Sequence, residues 1–506
     1  MKIFSRDQIR EADEFTIKHE PIASIDLMER AASACVKWIK GRYDASVEFK
    51  LICGLGNNGA DGLAIARLLS EDNYKVKVFV LRYSEKESEC FKINFQKLNT
   101  KKIDVQNIHS FSQDSIDFAG EGRGEAVIID AILGSGLNKP AEGLIAECIN
   151  FINQQPLPVI AIDLPSGLYC DKLNDSKDTI VKASFTLTFQ FPKLSFMFPE
   201  TAECIGEFSV LDIGLHQDYI NHTQTKNYFI TKNDVRTFFK TRSRTAHKGN
   251  FGHALIAAGS YGKIGAAVLA SKACMHSGAG LLTSHVPKCG YEIMQTSFPE
   301  AMVDADSEEN FITDNIRLEK YNAIGAGPGI GSEKQTQNVV KLLIQNTVVP
   351  LVLDADALNI LSENKTWLSF IRAGSVFTPH PKEFERLAGK AENSEERLKM
   401  QRDFSIKYSV YVVLKGAHTS VSFPDGDVYF NSTGNPGMAT GGSGDVLTGI
   451  ITSLIAQGYS SDQACVLGVY LHGLAGDFAA YHKSEEAMTA SDIIEHLPEA
   501  FKFLKE

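Results

Sequence analysis

Near the C-terminal end, the run Thr433-Gly434-Asn435-Pro436-Gly437-Met438-Ala439-Thr440-Gly441-Gly442-Ser443-Gly444-Asp445-Val446-Leu447-Thr448-Gly449 has the makings of an anion site. Its glycines let backbone amides turn inward. The apolar spacing of Val446, Leu447, Ile450, Ile451, Leu454 and Ile455 predicts a helix starting at once, whose N-terminus adds partial positive charge. Asp445 would repel an anion and needs a reason of its own. Either it accepts the proton of a hydroxyl being phosphorylated, or it only caps the helix.

A second chemical set lies in the first half. Gly54-Leu55-Gly56-Asn57-Asn58-Gly59-Ala60-Asp61-Gly62 follows the apolar run Leu51-Ile52-Cys53. The literal G-x-G-x-x-G is a weak dinucleotide fingerprint here. The next strand, Lys77 to Leu81, runs into Arg82-Tyr83-Ser84 and offers no ribose-binding acid. Asn57, Asn58 and Asp61 instead carry oxygens that could ligate a hard cation or bond sugar hydroxyls, although an Asn-Gly structural turn explains them too. Val127 to Asp130 and Val159 to Asp163 read as buried strands ending in acids. They lead into Gly134-Ser135-Gly136-Leu137-Asn138-Lys139-Pro140 and Leu164-Pro165-Ser166-Gly167. In a parallel α/β sheet, ligands bind beyond the carboxyl ends of the strands, so these loops are expected on one rim.

The second half repeats the pattern with Gly325 to Gly331, Asp354 and Asp356, Thr378-Pro379-His380-Pro381-Lys382-Glu383, and Lys415-Gly416-Ala417-His418-Thr419, each at a strand end. His380, between prolines, is held in extended backbone and expected to contact a ligand. The basic run Lys240 to Gly249 is either a solvated connector or a phosphate-facing loop.

These groups need elements to position them. Helices are expected over 5–20 and after Ser24, which is placed to cap the second. Strands are expected over 183–191 and 207–213, a hairpin around Pro424-Asp425-Gly426, and closing helices near 462–482 and 491–504. The fold class is α/β: a three-layer Rossmann-like domain over 1–216, a polar linker over 217–232, and a second α/β domain over 233–506. A net charge of -11 argues against general nucleic-acid binding. The nine cysteines form no Cys-x-x-Cys or Cys/His cluster, which favours reduced thiols in the cytoplasm. The charged start lacks a signal-peptide core, and no long uncharged apolar run is expected to span a bilayer.

The glycine-rich run, with His247-Lys248-Gly249-Asn250-Phe251-Gly252, Gly325 to Gly329, the His380 loop and Lys415 to Thr419, resembles the nucleotide-dependent NAD(P)HX dehydratases of the ribokinase-like superfamily. The first half resembles NAD(P)HX epimerase domains through Gly56 to Gly62, Asp130 to Gly136 and Asp163 to Gly167. Epimerase followed by dehydratase is the order of the fused bacterial repair enzymes. Ala60 stands where a third glycine is common and Lys382 where many members carry glycine.

The resemblance implies a ribokinase-like second domain and a set of roles. Asn57, Asn58, Gly59, Ala60 and Asp61, residues 134–140 and Asp163 would hold the hydrated dinucleotide in the first domain. Asn58, Asp130 and Ser166 would bind potassium. In the second domain, Ala266, Gly327, His380 and Asp445 would contact the hydrate, while Lys415, Gly416, Ala417, His418, Thr419 and Gly444 would hold ADP with Mg²⁺. Asp445, and in the first domain Asp163, are the expected catalytic residues. A homo-oligomer acting on small molecules, without nucleic acid or membrane, is implied. The competing reading is a small-molecule kinase fused to a non-catalytic binding module.

Overall fold

The computed structural model describes residues 1–101, 103–110, 125–314 and 316–506. Contacts divide the described chain into Lys2–Thr225 and a second unit of Lys226–Glu506 with Met1. The boundary falls inside the stretch expected to be a linker, and that stretch is structured. It holds a helix over Gln217–His222, a strand over Asn227–Phe229 and the start of a helix over Lys232–Phe238. Its strand is held by contacts a polar composition hides: Tyr228 pairs in register with Tyr429, and their rings stack at 4.6 Å.

In the first unit, seven strands are all parallel: β1 (Glu48–Cys53), β2 (Lys75–Leu81), β3 (Asp104–Ile108), β4 (Ala126–Ala131), β5 (Val159–Ile162), β6 (Phe185–Phe189) and β7 (Glu207–Leu211), in the order β3-β2-β1-β4-β5-β6-β7. Alternate residues feed opposite cores. Leu51, Val78, Val80, Val127 and Ile129 meet the helices Ser24–Lys40, Asn57–Glu71 and Glu89–Thr100. Ile52, Phe79, Leu81 and Ile128 meet Cys148, Ile149 and Ile152 of the helix Gly143–Asn153. Both faces are covered, giving the three layers expected, and explaining why the strands read as continuous apolar runs. The strand order reverses between β1 and β4, which opens a crevice at their carboxyl ends. Ser24 does not cap its helix. Ala23 holds the cap position, and the Ser24 hydroxyl lies 3.6 Å from the Cys90 sulfur.

The second unit carries the edge strand β8 (Asn227–Phe229) with β9 (His253–Ala257), β10 (Leu281–Val286), β11 (Met302–Ala305), β12 (Ala323–Ala326), β13 (Leu351–Leu353), β14 (Val376–Phe377), β15 (Tyr411–Leu414), β16 (Ser420–Ser422) and β17 (Val428–Phe430). The order is β11-β10-β9-β12-β13-β14-β15-β16-β17-β8, parallel through β15, with the late strands β16 and β17 antiparallel as the Pro-Asp-Gly turn predicted. Ala254, Ile256 and Val352 enter one core with the helices Ile264–His276 and Ser443–Ala456; Leu255, Ala257, Leu351 and Leu353 enter the other. The helix Ser461–Lys483 is long and apolar enough to cross a membrane, but 72% of its apolar window is buried inside the protein, where it serves as a core helix.

One glycine fixes the rim of the first unit. A Cβ on Gly59 would lie 1.9 Å from the Gly54 carbonyl oxygen, so the start of the helix Asn57–Glu71 sits directly on the loop leaving β1. Gly59→Ala is expected to destabilise this unit by about 2–4 kcal/mol, because backbone must move. In a Trp367→Phe background Trp38 is the sole tryptophan. Its urea-induced fluorescence transition should shift to lower denaturant.

Candidate functional site

The crevice of the first unit is a cavity of about 1140 Å³. Residues 134–140 all line it, together with Asn57, Asn58, Asp61 and Asp163. Gly59 and Ala60 do not. Ala60 is fully buried in the core and Gly59 packs on Gly54, so these two shape the loop from behind.

Asp130 and Ser166 form a buried knot beneath the wall. The Ser166 hydroxyl donates to Asp130 Oδ1 at 2.6 Å, the Ser166 amide donates to Oδ2 at 2.8 Å, and the Leu133 amide donates to Ser166 Oγ at 2.9 Å. Asn58 Nδ2 donates to the Leu133 carbonyl at 2.8 Å, leaving Asn58 Oδ1 buried with no hydrogen-bond partner among the described residues. An orphaned amide oxygen beside a buried carboxylate and a hydroxyl is a donor set suited to a hard monovalent cation. Burial pushes the Asp130 carboxyl up to about 6, against the pull of its Ser166 bonds, as expected of a carboxylate lacking a counter-charge.

Asp163 has a positive φ of 65°, which turns it off the end of β5, and Lys193 Nζ meets its Oδ1 at 3.0 Å. Lys193 is fully buried, and its amine also donates to the Phe191 carbonyl at 3.1 Å. The sequence reading missed Lys193. The first helix, Arg6–His19, expected from the sequence without a role at the site, also sends Arg6, Ile9, Arg10 and Asp13 to the cavity wall. Their spacing of three, one and three residues is a single helical face, the signal that could have found them.

In the second unit the expected residues converge on Lys415, at the end of β15. Lys415 Nζ lies 2.8 Å from Asp354 Oδ1 and 3.9 Å from Glu383 Oε2. Asp354 is almost fully buried, and its other oxygen accepts the Thr448 hydroxyl at 2.8 Å. A Cβ on Gly444 would lie 3.2 Å from the lysine amine, so the amine sits close against the first turn of the helix Ser443–Ala456. Gly442 ends the loop at φ 91°. Gly327 is pressed against the Asp354 carbonyl, 1.8 Å from where its Cβ would be, and Ala266 lies 3.2 Å from the corresponding point on Gly329.

His380 is plainly structural in one respect. Its Nδ1 accepts the Lys382 and Glu383 amides at 3.1 and 3.3 Å, capping the helix Pro381–Ala388. That fixes the proton on Nε2, 3.4 Å from Glu383 Oε1. Burial holds its pKa below the ordinary histidine value, against the pull of Glu383. His418 turns back to the Asn431 carbonyl at 3.2 Å. At the start of the basic run, Lys240 Nζ bonds the Gly458 carbonyl at 2.6 Å and Arg242 lies 4.0 Å from the Phe251 ring centroid.

Asp445 is pushed up to about 7, first by burial and then by repulsion from Asp354, with Lys415 opposing. The folded chain therefore keeps this proton to near pH 7, whereas an unfolded aspartate loses it near pH ~4. Between those values the folded state binds more protons, so stability falls as pH rises. Asp445→Asn is expected to be more stable than wild type above pH 7 by about 1–3 kcal/mol, with the gap closing toward pH ~4. Urea denaturation across that range measures it.

Two family models match the chain: one described as NAD(P)H-hydrate dehydratase over residues 254–499, and one described as YjeF-related protein N-terminus over residues 24–195. The bifunctional NAD(P)H-hydrate repair enzyme Nnr of Moorella thermoacetica is 36% identical over 100% of this chain and 98% of its own length. The enzyme of the same name from Coxiella burnetii is 34% identical over 98% of each. Among solved structures, the Bacillus subtilis ADP/ATP-dependent NAD(P)H-hydrate dehydratase, co-crystallised with ATP and Mg²⁺, is 30% identical, covers 55% of this chain and 98% of its own, and aligns with a TM-score of 0.49.

Proposed function

The chain belongs to the bifunctional NAD(P)H-hydrate repair enzymes, and on that premise we infer that it returns hydrated NADH and NADPH to the reduced cofactors. The first unit interconverts the R and S epimers at C6, and the second dehydrates the S epimer with ADP, yielding AMP and phosphate. The observation that carries this reading is the pairing of two sites in one chain: a dinucleotide-sized cavity walled by carboxylates, and a raised-pKa aspartate at a helix N-terminus beside a lysine. Relatives matching both halves at full length do not favour the alternative of a kinase fused to a binding module.

Hydroxide is a poor leaving group. Phosphorylating the C6 hydroxyl makes phosphate the leaving group, and elimination restores the dihydropyridine. Asp445 takes the hydroxyl proton as the phosphoryl arrives; its high pKa makes it a competent base near neutrality. The amides at the start of the helix Ser443–Ala456 and the Lys415 amine offset the charge that develops. Residues 415–419 and Gly444 hold the nucleotide; Ala266, Gly327 and His380 flank the hydrate. Mg²⁺ carried in with the nucleotide would offset further charge. Asp354 and Glu383 are already engaged with Lys415, Thr448 and the His380 amide, which fits a metal carried in with the nucleotide.

In the first unit, Asn57, Asp61, residues 134–140 and Asp163 face the hydrate, with Gly59 and Ala60 supporting the loop. Potassium held by Asn58, Asp130 and Ser166 would supply the positive charge that this buried set lacks. The protein acts on its small molecules as a homo-oligomer in the cytoplasm.

A mixture of R and S hydrated NADH, given ADP, ATP or no nucleotide, should recover its full reduced-nicotinamide absorbance with ADP. Recovery that halts at the S fraction would sink the epimerase, and none with either nucleotide would sink the repair reading. Asp445→Asn should slow dehydration by about 100-fold or more while leaving R/S exchange intact. Replacing potassium with a bulky organic cation should slow R/S exchange and spare dehydration of pure S epimer.

A further inference from the structure

The cavity of the first unit gathers carboxylates from three separate elements. Asp13 comes from the first helix, Asp61 from the helix Asn57–Glu71, and Asp163 from the end of β5. The cation set among them is Lys193, and it faces Asp163 at 3.0 Å. Among the described residues, neither the Asp13 nor the Asp61 side chain makes a hydrogen bond or an ion pair. Asp61 is 9% exposed, so it is an unpartnered buried carboxylate opening onto a ligand cavity. Such a group costs stability unless something else uses it.

We propose that Asp13 and Asp61 form the proton-carrying pair of the epimerase, with Asp13 the acid/base group that serves C6 of the hydrate. This rests on the epimerase reading of the same cavity.

The chemistry requires such a pair. C6 of the hydrate carries a hydroxyl and the ring nitrogen, so it is a hemiaminal carbon. A carboxylate takes the hydroxyl proton, the oxygen lone pair closes a C=O bond, and the C6–N1 bond breaks. Its electron pair stays on N1, conjugated with the ring enamine and carboxamide, and N1 is protonated by a carboxylic acid. Rotation of the freed aldehyde and the reverse sequence close the ring on the opposite face. Proton count and electron count are unchanged, and no co-reactant is needed. One ionised and one protonated carboxyl must be present together at neutral pH.

The surroundings supply that condition. Burial, and then repulsion from Asp163, push Asp13 up to about 7; Lys193 pulls it down and Glu14 adds a little repulsion. Burial drives Asp61 well above the ordinary carboxylate range, with Asp163 and Asp13 adding to it. Asp61 thus keeps a proton while Asp13 titrates near neutrality, the arrangement of two carboxyls pushed apart for acid and base work. Arg6 and Arg10, on the same helical face as Asp13, and Arg82, Tyr83, His109, Lys139 and Glu142 are the other titratable or charged groups on the wall. The first helix lies wholly outside residues 24–195 of the matching family model, so this role depends on a segment which that model does not cover.

The test is Asp13→Asn in the full chain, with R/S exchange followed by chromatography and S-epimer dehydration as internal control. Exchange should fall about 100-fold, mainly in kcat, with KM for the hydrate within about threefold of wild type and dehydration unchanged. Wild-type exchange should rise with pH through about 7. Asp13→Glu should keep part of the rate and move that limb, and Asp13→Asn should lose it. Asp13→Asn exchange within about threefold of wild type, with the pH limb retained, would overturn this inference and leave the epimerase standing. A wild-type chain that does not accelerate exchange would overturn both.

Discussion

Burying a carboxylate without a full set of partners is the constraint around which both halves of this protein are built. Parallel strands deliver their carboxyl ends to one rim, and that rim collects acids: Asp130 and Asp163 in the first sheet, Asp354 in the second. Water is scarce there, so each acid must be matched by a cation, a hydrogen bond or a proton. Asp354 is matched by Lys415 and Thr448, Asp163 by Lys193, and Asp130 by Ser166. Asp13 and Asp445 are left to titrate near neutrality and Asp61 is pushed well above the ordinary carboxylate range.

The same logic accounts for the tight glycines. Gly444 leaves room for the lysine amine to approach the helix start, and Gly327 lets one loop rest on the Asp354 carbonyl. Neither has a direct chemical part. They let neighbouring groups approach closely, and proximity of fixed charges is what makes such a site effective.

Much of this was legible in the sequence. Apolar runs closed by acids placed the rims, and the helix after Ser443 was readable from apolar spacing alone. Other parts were hidden for physical reasons. Asp13 and Lys193 join Asp163 only through the fold, from positions 150 and 30 residues away along the chain. Lys193 follows Phe191 and Pro192 in a loop whose apolar character signals burial but not the partner. The strand Asn227–Phe229 is too short for alternation to show, and its pairing depends on Tyr429, two hundred residues on. His380 was expected to meet a ligand; its main visible work is to cap a helix, which a proline on each side makes easy but does not announce.

The backbone at Asp163 carries a consequence for what evolution can try there. At φ 65° the tolerant residue types are glycine, asparagine and aspartate. Of these, only aspartate can offer Lys193 a negative charge. Glutamate preserves the charge and violates the backbone; asparagine preserves the backbone and strands a buried ammonium. The two demands intersect in one letter of the amino-acid alphabet, so this position cannot drift by small chemical steps.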